Sequence, residues 1–300
     1  MPEKSLRDVK REKIEAIIKS IDSLQRRNVT KEVRERETET LKLEVCLMCL
    51  KSNYLERRIQ GIRDLNQIIR NNRMMSYKSM TNAEIIQWLN QNQVFSILFD
   101  TKKTHLQIVQ RCAEILRLLL SENELSVQLL DMFWSLSKSD YKFEIYKIVN
   151  EIAFYLKQEH INYIFEQIKQ ISPEKLAMEE FQCLSELGKY AKDDTFKQNV
   201  GNFFWKIICH SDNYKEELVN NCITRFCEMV KNWDLNKKHQ YFVQLIGNLA
   251  NKTSSIPSIK LFKGLIKDQK DKNYYYNYNS SYNYSPTKNT QAQQSAGEST

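Results

Sequence analysis

The sequence predicts an all-α protein, an irregular α-solenoid of stacked helical pairs with a disordered C-terminal tail. Three observations predict it. Of 300 residues only 6 are Gly and 4 are Pro, well below the roughly 7% and 5% of ordinary usage, which argues against turn-rich β architectures. Apolar residues recur at spacings of three and four in segment after segment, as one buried face of a helix requires. Beyond Lys272 aliphatic residues nearly vanish, and six of the 15 Tyr fall between Tyr274 and Tyr284 in an Asn- and Ser-rich run.

Residues 3–27 and 30–52 read as two long helices, with Pro2 suited to a first turn. Charge is dense in both, and apolar residues gather only near Leu41, Val45 and Met48. From Tyr54 the stripe Ile59, Ile62, Leu65, Ile69 sets Arg63 and Arg70 on the opposite face of a helix. Thr81 and Glu84 have the spacing of a capping box, which opens a short helix to Leu89 before NQNQ interrupts. Leu106, Val109, Cys112, Ala113, Leu116, Leu119 and Leu120 form the clearest stripe and predict one continuous helix, flanked by Arg111, Glu114 and Arg117.

Ser126 caps the next helix, through Leu130, Phe133 and Trp134; Asp140 starts another through Ile145 to Leu156, and 158–170 forms a third. Ser172-Pro173 reads as a cap and first-turn proline for the helix through Leu184 to Gly188. Further helices fit 194–210, 214–232, 236–251 and 257–267. Successive helices pair at roughly 35 to 45 residues per pair, the period of HEAT and armadillo arrays. Three regions follow: long N-terminal helices (1–53), the array (54–267) and the disordered tail (268–300).

The net charge is +8, and the first 122 residues carry a surplus of seven of it. Acids interleave with these bases, as in KEVRERETET, so a solvated helical face reads better than a nucleic-acid patch. The densest basic ridge is Arg57, Arg58, Arg63 and Arg70, with Arg73, on one helix. These four arginines are the candidate contacts for an acidic protein partner. A basic adaptor for nucleic acid or a membrane surface is the alternative. No apolar leader opens the chain, no run approaches the roughly 18 residues of a membrane span, and seven Cys, an odd number with six of them in apolar helical pattern, predict a reduced, cytoplasmic protein.

Chemistry is sparse. The nearest glycines, Gly188 and Gly201, stand too far apart for phosphate-cradling or nucleophile-elbow motifs. Cys46-x-x-Cys49 lacks the second ligand pair of a zinc site, and Cys209, His210 and Asp212, adjacent at a helix end, diverge too much to form a catalytic set. His105, His160 and His239 read as surface or partner-bonded, and the four Trp as core residues. No cofactor, metal or catalytic residue is expected.

One resemblance adds to this. YLERRIQGIRDLNQII (54–69), EIIQWLNQNQVFSILF (84–99) and the run from HLQIVQRCAEIL through WSLS to FEIYKIVNEIAFYL (105–156) follow one another in an order that resembles the armadillo-like, non-catalytic region of the very large ubiquitin-specific proteases of the fat facets type and their X/Y-linked relatives. The likeness runs over about 54–250 and is strongest to residue 168. It implies a helical scaffold that binds substrates or regulators in deubiquitination. The family's catalytic Cys and His boxes have no counterpart here, so whether the chain is a free-standing scaffold or a piece of a cysteine-type deubiquitinase stays open.

Overall fold

The computed structural model describes residues 30–74, 80–172, 175–231, 233 and 235–266. The expected helix at 3–27, the Ser172-Pro173 cap and the 268–300 tail lie outside the described residues. All regular structure among the described residues is helical. The chain divides into two compact units between Phe203 and Phe204.

In the first unit, α1 (Lys31–Leu50) is capped by Thr30 and packs along α2 (Leu55–Met74). Gly61 permits this: a Cβ there would lie 2.9 Å from the Cys49 Cβ and 3.0 Å from the Cys46 carbonyl oxygen. The Cys46-x-x-Cys49 pair is thus part of a close helix crossing, with Cys46 buried. The short α3 (Asn82–Gln91) opens with the expected capping box, Thr81 N–H donating to Glu84 Oε2 at 2.8 Å and Glu84 N–H to Thr81 Oγ1 at 3.2 Å. Trp88 Nε1 donates to Glu44 Oε1 at 3.0 Å, tying α3 to α1. The NQNQ interruption is real: Gln93 adopts a left-handed φ of 52° before α4 (Val94–Leu98).

The stripe at 106–120 departs from expectation. It forms two helices, α5 (Leu106–Val109) and α6 (Ala113–Ser121). Between them Arg111 and Cys112 make tight bonds to the carbonyls three residues back, at 3.0 and 2.9 Å. The Arg111 carbonyl accepts instead from Asn66 Nδ2 of α2 at 2.8 Å. A tertiary hydrogen bond takes the place of one in the helical ladder, which periodicity cannot register. Helix α6 ends on Asn123, whose φ of 61° closes the turn through Glu124 N–H to Leu119 O at 2.8 Å. In a glycine-poor chain asparagine serves this left-handed position.

Helix α7 (Val127–Ser135) is capped by Ser126, as expected. Helix α8 (Lys142–Ile152) begins two residues later than Asp140, with Tyr141 at its N-cap and the Tyr141 hydroxyl donating to the Thr104 carbonyl at 2.7 Å. Then come α9 (Gln158–Lys169), α10 (Met178–Tyr190) and α11 (Asp194–Cys209). Helices α2, α6, α8 and α10 pack each against the next in one layer. Helices α1 and α4, then α7 and α9, form the other; Phe99, just after α4, meets Phe133 of α7 at 5.4 Å. Between the layers lie fully buried residues such as Ile62, Leu65, Leu116, Ile148 and Leu184. Each contributes about 1.5–3 kcal/mol of apolar burial.

The second unit holds α12 (Glu216–Val230), α13 (Leu235–Ala250) and a last helix α14 (255–266). Its core is aromatic. Phe226 meets Phe204 at 6.0 Å and Tyr241 at 5.0 Å, and the half-buried Trp205 and Trp233 lie beside Tyr241. Lys238, 4% exposed, donates to the Lys231 carbonyl at 3.1 Å and so satisfies the end of α12.

Candidate interaction surface

Helix α2 carries all four candidate arginines, yet the structure sorts them into two groups. At about 100° per residue, Arg63 and Arg70 fall on the same face. Both are exposed, opposite the buried Ile62, Leu65 and Ile69. Arg57 and Arg58 are half-buried at the start of the helix. The Arg57 guanidinium stacks over the Tyr54 ring, 4.9 Å from its centroid, and Arg58 Nη1 donates to the Lys103 carbonyl at 2.6 Å.

Arg70 belongs to a charge ladder running across three helices of one layer. Its Nε lies 3.5 Å from Glu114 Oε1, Arg73 Nη1 lies 3.4 Å from Glu114 Oε2, and Arg117 Nη1 lies 3.0 Å from Glu114 Oε1. Arg117 continues to Glu151 of α8 at 3.1 Å. One carboxylate, 15% exposed, therefore serves three guanidinium groups. Sequence reading placed Glu114 and Arg117 as an i,i+3 pair, which they are. It missed the reach of Arg70 and Arg73 to Glu114, made across about forty residues of chain. Arg111, grouped with them on spacing, turns away and donates to the Gln107 carbonyl.

A groove of about 420 Å³ opens beside this ladder, lined by Arg63, Arg70 and Arg111 together with Gln60, Asp64, Asn66 and Gln67. With Arg73 and Arg117, five arginines stand against Asp64, Glu114 and Glu151, leaving a surplus of two positive charges. Sequence spacing could not assemble it, because Arg111 comes from the break between α5 and α6.

Burial disfavours the thiolate at five of the seven cysteines. Burial pushes the Cys112 thiol up to about 12 and raises those of Cys49, Cys183, Cys209 and Cys222 as well. Cys209 Sγ accepts from Asn248 Nδ2 at 3.4 Å, while the His210 ring bonds the Lys206 carbonyl at 2.8 Å, so the two neighbours do not engage each other. Among the described residues no three His, Cys, Asp or Glu come close enough to hold a metal ion. No described helix is long and apolar enough to cross a membrane.

Two-layer stacking of short helices, with a polar, arginine-rich face on one layer, defines an armadillo-type repeat protein. The UBP24/USP9X/USP9Y ARM repeat pattern matches residues 36–296, and the chain belongs to that family. It is 20% identical over 229 residues to ubiquitin carboxyl-terminal hydrolase 9Y of Mus musculus, covering 71% of this chain and 9% of that protein. Ubiquitin carboxyl-terminal hydrolase 9X of Mus musculus is 20% identical over 218 residues, covering 68% and 8%. The probable ubiquitin carboxyl-terminal hydrolase FAF of Drosophila melanogaster is 20% identical over 230 residues, covering 70% and 8%. The chain thus spans less than a tenth of the length of these relatives.

Proposed function

We propose that this chain is a non-catalytic helical scaffold that acts in ubiquitin-dependent regulation by binding substrate or partner proteins in the cytoplasm. The array over 54–267 is the binding region in this reading, with Arg63 and Arg70 as principal contacts and Arg57 and Arg58 at their flank. One observation carries it: an exposed arginine face keeps a surplus of positive charge even after Glu114 is shared among Arg70, Arg73 and Arg117. Such a surplus suits an acidic protein segment, whose approach it steers and whose carboxylates it pairs. Membership of an ARM repeat family related to ubiquitin hydrolases supports the pathway.

The test is a double charge reversal, Arg63→Glu with Arg70→Glu, in the full chain. Partners captured from lysate and identified by mass spectrometry are expected to include ubiquitin-pathway proteins and to be lost in the variant, at unchanged melting temperature. An unchanged capture profile at low salt rejects the ridge. RNA as the main species captured favours the basic-adaptor alternative.

A further inference from the structure

We propose that the groove between α2 and the α5–α6 break takes a phosphorylated side chain, a phosphoserine or phosphothreonine, within an extended segment of a partner protein. This rests on the scaffold reading and specifies its ligand.

Three guanidinium groups border the groove, and their other engagements leave donors to spare. Arg63 is exposed and makes no ion pair or hydrogen bond with the described residues. Arg111 gives one bond to a main-chain carbonyl and pairs with no carboxylate among the described residues. Arg70 shares Glu114 with two other arginines. A guanidinium offers five N–H donors in a planar fork that matches phosphate oxygens, and a phosphomonoester brings close to two negative charges at neutral pH. A single carboxylate would neutralise half of the local surplus; a dianion matches it.

The position of Arg111 is fixed by its own backbone. Asn66 Nδ2 holds the Arg111 carbonyl at 2.8 Å, so the backbone that carries Arg111 is anchored across from α2 before any ligand arrives, and its Nη1 rests on the Gln107 carbonyl, which lowers the ordering cost of binding. The rim of the groove argues for a peptide-borne phosphate over a free ion. Gln60 and Gln67 each give one amide N–H, to Asp64 and Asn71 at 2.8 and 2.6 Å, with their carbonyl oxygens at the rim. The groove therefore offers acceptors as well as cations. Hydrogen phosphate can offer these carbonyls only its own O–H, whereas a peptide main chain offers a run of N–H groups.

The experiment uses the full chain and peptide pools with a central phosphoserine in degenerate flanks, compared with the same pools carrying serine or glutamate. The phosphoserine pool is expected to be retained at least tenfold more than the serine pool. Arg63→Ala and Arg111→Ala should each cut that retention severalfold at unchanged melting temperature, since neither removes the main-chain carbonyl that Asn66 binds. Equal retention of the phosphoserine and serine pools overturns the proposal, as does retention indifferent to both arginines. Glutamate peptides bound as well as phosphoserine peptides, in an Arg63-dependent way, overturn phosphate recognition while leaving the scaffold reading intact. Protection of the arginines by inorganic phosphate, without retention of any peptide pool, overturns the peptide source.

Discussion

Gly61 of α2 lies against Cys49 of α1 so closely that a Cβ on the glycine would come within 2.9 Å of the Cys49 Cβ. Main-chain atoms of Cys46 and Leu50 stand at 3.0 and 3.1 Å, so rotating one side chain cannot relieve the crowding. Gly247 of α13 is the contrast, with nothing within 4 Å of its would-be Cβ. Gly61→Ala should lower unfolding free energy by about 1–3 kcal/mol through overpacking. Gly247→Ala should raise it by about 0.5–1 kcal/mol through helix propensity. Urea unfolding of both variants reads the opposite signs.

The α8–α10 contact is fastened by Lys142 Nζ on Glu180 Oε1 at 2.6 Å, with the carboxylate fully buried. Glu180 Oε2 also accepts from the Ala177 N–H at 2.8 Å, which caps α10. Removing the cation in Lys142→Met leaves a buried carboxylate without its counter-ion. The expected cost is about 2–4 kcal/mol, reduced from the fully buried case because Lys142 reaches solvent. Adding Glu180→Gln to that variant should recover part of the loss in thermal denaturation, since the amide carries no charge and its oxygen still accepts from Ala177.

His160 sits fully buried at the start of α9. Its Nδ1 accepts from the Lys157 N–H at 3.2 Å, which places the proton on Nε2, facing the Leu125 carbonyl at 2.8 Å. Burial holds its pKa below the usual histidine value, only partly offset by the Leu125 carbonyl and Glu159. On acidification the unfolded chain therefore takes up this proton first. The contribution to stability is complete above the unfolded pKa of about 6.5 and is lost as pH falls through the lower folded value. Between about pH 7.5 and about pH 5 the parent chain should lose more unfolding free energy than His160→Gln, which cannot titrate. Equal slopes in the two proteins would remove His160 from the acid response.

Asn123 holds its left-handed conformation at the end of α6. Asn123→Gly should be neutral or stabilising, whereas Asn123→Val should cost about 1–2 kcal/mol because its branched Cβ is strained at positive φ. Melting temperatures of the two variants, moving in opposite directions relative to each other, check the assignment.

Helix α2 was legible from Ile59, Ile62, Leu65 and Ile69 alone, because a stripe repeating at 3.6 residues is a local property that any buried partner satisfies. The Thr81–Glu84 box and the Ser126 cap were legible for the same reason: each bond closes within three residues. The exposure of Arg63 and Arg70 followed from their places opposite that stripe. Tertiary structure alone decided the rest. It broke the 106–120 stripe at Arg111, where a carbonyl found Asn66, about 45 residues back in the chain. It brought Arg70 and Arg73 to Glu114, and it drew Arg58 from the ridge to the Lys103 carbonyl. Periodicity reports which face of a helix is apolar, but carries no information on which helix will lie beside it. The arginine groove rests on one such choice, the placing of Arg111 against α2, so its residues were visible in the sequence while the groove was not.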